Sequence, residues 1–514
     1  MTQLETIIVL VVAAVILSAL ARRIGAPYPV FLAVGGALLA FVPGTPSFAI
    51  PPDLALALFL APVLLDAAYD SSLRDLRDNW IPVTSLVVFA VGITTAVVAI
   101  AVRLLLPEIS WSAAVTLGAV VAPPDAAAAT AVLRPLRVPH RILTVLEGES
   151  LLNDASSLLI YRVAVAAVAV HSFSIHTLAP TFFVAVVASV VVGPALGWIF
   201  VRLFHRVKHI PSAIVLQFVT VFGVWILADR VGLSGVLTMV CFAITIAQSA
   251  PQRIPARIRI PTNAVWETAV FVLNILAFIF IGLQIRPILE HLDASNRDRY
   301  FVIATVVLAV VIAVRLVWTM FFNAVVRWRD RTRGFHPPRP MLQASVGSGL
   351  VVSWAGMRGI VTLAAALALP PAFPYRGLII LTAFWVVLGT LAIQGLTLKP
   401  LLRALDLHDD DPVGREVLAA RDCALRAALA TLDGVSSPVA EALREEFKVR
   451  VATKEDEEGS DRRSEHSLRQ RAALDAARQA IFAMRANDEI GDSAFHQIEE
   501  ELDWHQMTLD NQSE

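Results

Sequence analysis

Six carboxylates stand within long apolar stretches of the sequence, where burying an ionisable side chain in hydrocarbon costs about 3 kcal/mol or more. The six are Asp66, Asp125, Glu147, Glu149, Asp154 and Glu267. Four of them fall between residues 125 and 154. Because charges this costly indicate function by default, this segment is the first candidate for a site that handles a charged ligand.

The run EGESLLNDA, residues 147–155, separates its polar groups by helical geometry. At about 100° per residue, Ser150 and Asp154 lie on nearly the same face of a helix, with Asn153 beside them. Their oxygens are hard ligands that suit one small cation. Glu149 points about 140° away from Asp154, which predicts a different partner for Glu149.

A second polar interruption, SWAGMRG at residues 353–359, places Arg358 within another apolar run. The glycines beside it permit close packing or unwinding of a helix. Since a buried charge without a partner is prohibitively costly, the sequence predicts an ion pair between Glu149 and Arg358. Such a pair would support the fold rather than bind a ligand.

Two consecutive prolines, Pro123 and Pro124, interrupt a third apolar run just before Asp125. They remove two backbone donors and clash with the preceding turn, so a regular helix cannot continue through them. Broken backbone at membrane depth is tolerated only where it is buried in protein or lines a cavity. Two interpretations stay open: a proline kink with Asp125 as its N-cap, or a break that also serves an ion path.

The sequence indicates the roles of three further ionisable groups less specifically. Asp66 is either a helix-end carboxylate solvated near the arginines at 74 and 77, or an auxiliary carboxylate at the mouth of a cavity. Glu267 follows Trp266 and is interpreted as an interfacial anchor or a lateral pair rather than a ligand. Arg315 is expected to snorkel or to pair internally.

The composition places these groups in a membrane protein. Of the 514 residues, 57% are hydrophobic and 17% are charged, against about half and a quarter in soluble domains. The formal net charge of −1 hides a split: residues 1–403 hold 29 basic and 17 acidic side chains, and residues 404–514 hold 13 and 26. We therefore predict a transmembrane domain over 1–403 and a charged, helical cytoplasmic domain over 404–514.

Thirteen apolar runs are candidate transmembrane helices, of which the second and third are the weakest because they are short or interrupted by prolines. They span approximately 4–21, 28–42, 53–70, 80–106, 111–133, 141–170, 177–201, 211–229, 232–250, 262–287, 300–326, 341–369 and 375–402. Twenty Lys and Arg residues follow the odd-numbered runs and six lie on the opposite side. This asymmetry predicts an outside N-terminus and a cytoplasmic tail. The interruptions fall in runs five and twelve, corresponding positions of two inverted halves, which is typical of a transporter's midplane site.

Several classes of protein are excluded. The composition does not fit a disordered chain, a secreted disulfide scaffold or an ordinary cytosolic enzyme. The two cysteines, at 241 and 423, suggest neither a metal site nor a disulfide. No cleavable signal is evident, since the first residues lack a basic stretch. No phosphate-binding glycine loop, catalytic triad or nucleic-acid surface is indicated.

Three motifs in this order carry a resemblance to a known family. PPDA at 123–126, GESLLNDA at 148–155 and GMRGIV at 356–361 resemble the monovalent cation–proton antiporters, in the branch that contains the sodium/proton exchangers. The resemblance covers residues 1 to about 405. It implies a homodimer in which each protomer has a dimerisation domain and a mobile core domain with two crossed, unwound helices.

The resemblance also assigns roles to residues of this sequence. It implies that Asp154 is the cation- and proton-binding carboxylate, with Asn153 and Ser150 as further ligands of the monovalent cation. Asp125 matches the acid of the unwound helix, and Asp66 is similar to an acid of the third helix. The family's Glu–Arg bridge falls on the residues at 149 and 358. Two departures are a proline at 124, where the family has Thr, and an Asp at 66, where it often has Glu.

The resulting hypothesis is exchange of a monovalent cation, Na⁺ first, for H⁺ by alternating access, in pH homeostasis. A buried carboxylate that holds a proton or a cation, but not both, couples the two fluxes, and neutral Asn153 predicts a one-for-one, electroneutral exchange. The substrates would be Na⁺, Li⁺ or K⁺ and protons, with membrane lipid as surroundings and no cofactor. The alternatives are a K⁺/H⁺ antiporter of the same fold, a cation channel, or an intramembrane hydrolase using Ser150, which lacks a nearby His base.

Overall fold

The computed structural model is entirely helical over the residues that it describes. These residues are 3–24, 27–42, 51–133, 136, 138–170, 175–290, 292, 296–334, 343–407, 412–434, 437–451, 457–487, 498, 501–502 and 504–506. The chain forms two compact units, Met1–Asp410 and Asp411–Glu514.

The first unit contains nineteen α-helices within the described residues, and most of them are rich in apolar side chains. The first nine are α1 (Gln3–Ile24), α2 (Tyr28–Leu39), α3 (Pro52–Asp70), α4 (Leu73–Asp78), α5 (Trp80–Thr84), α6 (Val91–Leu105), α7 (Trp111–Val121), α8 (Ala126–Leu133) and α9 (His140–Val170). The others are α10 (Ile175–Phe204), α11 (Ile210–Arg230), α12 (Gly235–Arg253), α13 (Ala256–Leu283), α14 (Ile285–Glu290), α15 (Arg297–Arg333), α16 (Val346–Trp354), α17 (Ile360–Leu367), α18 (Arg376–Thr390) and α19 (Leu396–Leu405).

Each of the thirteen predicted apolar runs coincides with one of these helices or with a consecutive group of them. One π-helical turn, Ser85–Ala90, joins α5 to α6, and another, Leu391–Gly395, joins α18 to α19. Within the described residues, seven helical stretches are long and apolar enough to cross a bilayer, and shorter apolar helices accompany them. The total of thirteen spans stays a prediction.

Two large apolar cores hold the first unit together. One is built mainly from α6, α7, α15, α16 and α18, and it includes the fully buried Leu117, Val311 and Phe384. The other is built from α3, α11, α12 and α13 around Met239 and Phe242. Helix α9 contributes to both, because Leu146 packs in the first core and Leu151 in the second. The polar segment 147–155 is therefore held between them.

The second unit is helical, as its charged stretches predict. It contains α20 (Pro412–Ala430), α21 (Pro438–Val451) and α22 (Glu457–Ala486). Helix α20 packs on α21, and α21 contacts α22. The guanidinium of Arg444 donates a hydrogen bond to the carbonyl of Leu432 at 2.8 Å, which ties α21 to the turn that follows α20.

Candidate functional site

The two interrupted helices meet at their breaks. Helix α7 ends at Val121 and α8 begins at Ala126, and Pro123 and Pro124 lie in the non-helical segment between them. In the same way α16 ends at Trp354 and α17 begins at Ile360. The backbone N–H of Asp125 donates to the carbonyl of Met357 at 2.7 Å. Both predicted breaks are confirmed, and they form one crossing.

Arg358 satisfies the backbone carbonyls that the breaks leave without helical partners. The side chain is 1% exposed. Its Nε donates to the carbonyl of Val121 at 3.0 Å, Nη2 to that of Ala122 at 2.9 Å, and Nη1 to that of Gly356. The first two carbonyls lie at the C-terminal end of α7, where the helix dipole favours a cation. The backbone N–H of Arg358 donates to Thr390 Oγ1 at 3.1 Å.

The predicted Glu149–Arg358 ion pair is wrong, because Glu149 pairs with Arg315. Nη1 and Nη2 of Arg315, on α15, donate to the two carboxylate oxygens of Glu149 at 2.6 and 2.8 Å. The two side chains are 2% and 1% exposed. Arg315 also donates to the carbonyls of Ser353 at 3.2 Å and Val352 at 3.1 Å. The physical reason for the correction is that Arg358 is engaged with carbonyls at the crossing, which leaves the carboxylate to the arginine of α15.

Two glycines allow these groups to come so close to the backbone. A Cβ on Gly356 would overlap the Arg315 side chain, and a Cβ on Gly359 would overlap the carboxylate of Asp125. Gly359 is also the N-cap of α17, and Asp125 directly precedes α8. The carboxylate of Asp125 therefore lies at the positive ends of two half-helices, an arrangement that stabilises a negative charge.

A narrow cavity opens beside the crossing and collects three of the predicted ligands. Asp154 and Ser150 of α9 and Asp125 all line it. Its volume is about 40 Å³, enough for one ion with two or three water molecules. The other walls are largely apolar and come from α3, α13 and the start of α17. Asp154 is 6% exposed.

Asn153 lies behind this cavity rather than on its lining. The residue is fully buried, and its Nδ2 donates to the carbonyl of Pro124 at 2.7 Å. One turn later, Ser157 donates to the carbonyl of Ala119 at 2.7 Å. The two side chains fasten α9 to the broken segment on both sides of the prolines. Ser157 was missed by the sequence analysis, although it follows Asn153 at i+4, on the same face of the helix.

Asp66 lines a second, wider cavity next to the first. This outer cavity has a volume of about 360 Å³ and is bounded by α3, α11, α12 and α13. Glu267 lines it as well, which differs from the interfacial anchor expected from the sequence. A cue was present in the sequence: Asn263, Glu267 and Asn274 recur at helical spacing as a polar stripe on α13. The structure thus separates Asp66 from Asp154, Ser150 and Asp125.

The inner cavity presents two carboxylates and one hydroxyl, all hard oxygen ligands, among walls that are otherwise largely apolar. Such a group binds small hard cations or a proton, and it lacks the nucleophile–base geometry that covalent catalysis needs. Glu149 is paired with Arg315, whereas Asp125 and Asp154 line the cavity.

Comparison with known proteins gives a consistent result. Residues 8–404 match the family described as "Sodium/hydrogen exchanger, transmembrane". An uncharacterized Na⁺/H⁺ exchanger of Mycobacterium tuberculosis is 30% identical, over 98% of this chain and 96% of its own length. A low-affinity Na⁺/H⁺ antiporter of Synechocystis is 29% identical, over 79% of this chain and 75% of its own.

A further relative and a solved structure extend the comparison. The Bacillus subtilis protein named as a sodium, potassium, lithium and rubidium/H⁺ antiporter is 28% identical over 72% of this chain and 57% of its own length. The structure of the sodium proton antiporter MjNhaP1 from Methanocaldococcus jannaschii at pH 8 superimposes with a TM-score of 0.59. It covers 79% of this chain and 99% of that one at 17% identity, which shows a shared fold.

Proposed function

Since this chain belongs to the sodium/hydrogen exchanger family, and is thus a membrane cation/proton antiporter rather than an enzyme, we propose that it exchanges Na⁺ for H⁺ one for one at Asp154. The observation that carries the proposal is the inner cavity, where Asp154 and Ser150 face Asp125 at the crossing of the two broken helices. In this scheme Ser150 and Asp125 complete the cation's coordination, and Asp154 holds either the cation or a proton.

Competition for one carboxylate is the physical basis of coupling. A proton on Asp154 removes the charge that attracts the cation, and a bound cation supplies a positive charge that excludes the proton. Exposing the site alternately to the two sides of the membrane then turns exclusion into exchange.

A stoichiometry of one proton per cation follows from the neighbours of Asp154. Asn153 carries no charge and is committed to the carbonyl of Pro124. Asp125 lies at the positive ends of α8 and α17, whose dipoles stabilise a negative charge there. Asp154 is then the carboxylate that changes state, so each turnover moves no net charge.

The choice of Na⁺ is the finer part of the proposal. The Synechocystis relative is named for Na⁺/H⁺ exchange, which supports it. The Bacillus subtilis relative is named for sodium, potassium, lithium and rubidium, which supports a broader cation range including K⁺ as the second candidate. The oxygen ligands of the inner cavity suit any of these ions.

We further propose the arrangement of the protein in the cell. The excess of Lys and Arg on one side predicts an outside N-terminus and a cytoplasmic tail beginning at about residue 404, in the cell membrane. A homodimer surrounded by lipid is the assembly we expect, with the two broken helices in the moving part of each protomer. Cytoplasmic pH and Na⁺ homeostasis is the role that this arrangement serves.

Purified protein in proteoliposomes tests the proposal directly. A pH dye reports proton release when Na⁺, Li⁺ or K⁺ is added, with and without a potassium–valinomycin clamp. The wild type should respond equally with and without the clamp, and Asp154→Asn should abolish the response. Asp229→Asn is the matched control, because Asp229 forms an exposed pair with Arg162 away from the cavities.

Three results would contradict parts of the proposal. Exchange that persists in Asp154→Asn would refute the assignment of the carrier carboxylate. A rate that changes with the clamp would refute the one-for-one stoichiometry. Cation conductance without proton movement would identify a channel.

A further inference from the structure

The inner and outer cavities come together at one residue. Among the described residues, Asn274 of α13 alone lines both of them. On the inner side lie Asp154, Ser150 and Asp125, and on the outer side lie Asp66 and Glu267. Asn274 therefore lies between the proposed cation site and a second pair of carboxylates, and we call this position the neck.

The side chains around the neck are otherwise mostly apolar. Helix α3 contributes Leu64 to the inner cavity and Leu65 to the outer one. Helix α13 contributes Phe278 and Phe271 in the same way. An ion that moves between the cavities along these walls meets the amide of Asn274 as the polar group closest to both sides.

The polar stripe on α13 leads from the outer cavity to this neck. Glu267 and Asn274 are seven residues apart, so they lie within about 20° of each other on the helix surface and about 10 Å apart along its axis. Asn263 lies on the same stripe, one turn before Glu267, and lines only the outer cavity. A cation that moves from the outer cavity towards the neck thus passes the carboxylate of Glu267 before it reaches the amide of Asn274.

The sizes of the cavities indicate where a cation must lose water. The outer cavity, at about 360 Å³, is several times larger than the inner one and holds an ion with several waters. The inner cavity, at about 40 Å³, holds it with few. Dehydration therefore occurs at the neck, where an oxygen from the protein must replace a lost water.

We propose that Asn274 is a positioning residue for the transported cation: its amide oxygen receives the partly dehydrated ion at the neck and passes it between the Asp66–Glu267 cavity and Asp154. This inference rests on the proposed function, because it takes Asp154 as the destination. Asp66 and Glu267 raise the local cation concentration outside the neck, and Asn274 sets how easily the ion sheds water.

Substitution of Asn274 tests this role through the apparent KM for the transported cation. Asn274→Leu removes the oxygen at similar size, so the apparent KM for the cation should rise about tenfold or more, the loss expected for one polar contact to a charge. Li⁺ and K⁺ differ in the free energy that dehydration costs, and the oxygen of Asn274 offsets part of that cost. Its removal should therefore also change the ratio of the KM values for Li⁺ and K⁺. Asn274→Asp adds a charge at the neck and should lower KM severalfold.

Thr268→Val is the matched control, since it removes a polar group from α13 at nearly constant size, and Thr268 is an exposed residue that lines neither cavity. Its KM should stay within about twofold of the wild type, because its hydroxyl donates to the carbonyl of Ala264 and contacts no ion on the proposed path. Melting curves of the purified variants establish that each is folded. If Asn274→Leu does not fold, the comparison of Asn274→Asp with the wild type decides the question.

The outcomes separate this inference from the proposed function. If Asp154→Asn abolishes exchange while folded Asn274→Leu keeps the wild-type KM and ion ratio, the role of Asn274 is overturned and the carrier assignment stands. Equal rises of KM in Asn274→Leu and Thr268→Val would also overturn it, as would an unchanged KM in Asn274→Asp. If exchange survives Asp154→Asn, the proposed function itself has failed.

Discussion

The pair of Glu149 and Arg315 predicts a large and specific loss of stability. Glu149→Gln leaves the guanidinium of Arg315 buried, with two of its four hydrogen bonds now made to a neutral amide or lost. Both side chains are at most 2% exposed, so solvent cannot screen the remaining charge. Removing one partner of such a buried pair costs about 3–5 kcal/mol.

This cost converts into a measurable shift of the melting temperature. Unfolding entropy of roughly 2.1 cal/mol/K per residue, taken over about 400 residues, gives about 0.8 kcal/mol/K. A loss of about 4 kcal/mol then lowers Tm by about 5 °C. The measurement is fluorescence-detected melting of the purified protein in detergent. Glu147→Gln on the same helix is the control, and because Glu147 is only half-buried it should lower Tm by about 1 °C or less.

A double-mutant cycle distinguishes Arg315, the observed partner of Glu149, from Arg358, the partner that the sequence predicts. Combining Glu149→Gln with Arg315→Met should reveal a coupling of about 2–3 kcal/mol, because these side chains share two hydrogen bonds. The same cycle with Arg358→Met should give a clearly smaller value, since Arg358 donates to carbonyls. A larger coupling to Arg358 than to Arg315 would refute the assignment.

Exchanging the charges should not restore stability. In the double variant Glu149→Arg, Arg315→Glu, a carboxylate would face the carbonyls of Val352 and Ser353, which now accept from the guanidinium. Like partial charges would meet at the end of α16, where the helix dipole is already negative. Full recovery of Tm in this variant would show that Arg315 acts only through Glu149.

Two further predictions concern the crossing of the broken helices. Gly359→Ala places a methyl group against the carboxylate of Asp125, so exchange should fall at least tenfold in liposomes; Gly377→Ala, whose Cβ would lie 3.5 Å from Leu292, should leave it unchanged. Asn153→Ala deprives the buried carbonyl of Pro124 of its donor and should cost about 1–3 kcal/mol in melting experiments, and an unaltered Tm would contradict the fastening role of this side chain.

The sequence predicts the breaks in the helices well because their cause is local. Two prolines in succession cannot continue a helix, whatever packs around them, and α7 does end at Val121. The spacing of Ser150 and Asp154 on α9 is equally local, and the structure places both on the lining of one cavity.

The partner of Glu149 could not be predicted in this way. Two arginines, at 315 and 358, are buried. Both are far from α9 in the sequence, and helical spacing does not show which of them pairs with Glu149. The decision depends on which carbonyls the breaks leave without donors, and that is known only after the crossing has formed. Asp66 shows the same limit, because the cavity that it lines leaves no polar pattern on α3, whereas the polar stripe on α13 does mark the position of Glu267.

The hydrogen bond from Asp125 to Met357 has a mechanical consequence. It links two unwound segments that come from distant parts of the chain, and Arg358 holds both of them through their carbonyls. We therefore expect a twist at one break to be transmitted to the other, so that the four half-helices move together as one joint. Amide hydrogen exchange at Asp125 should consequently report the opening of this joint as a whole, and its rate would measure how often the crossing comes apart.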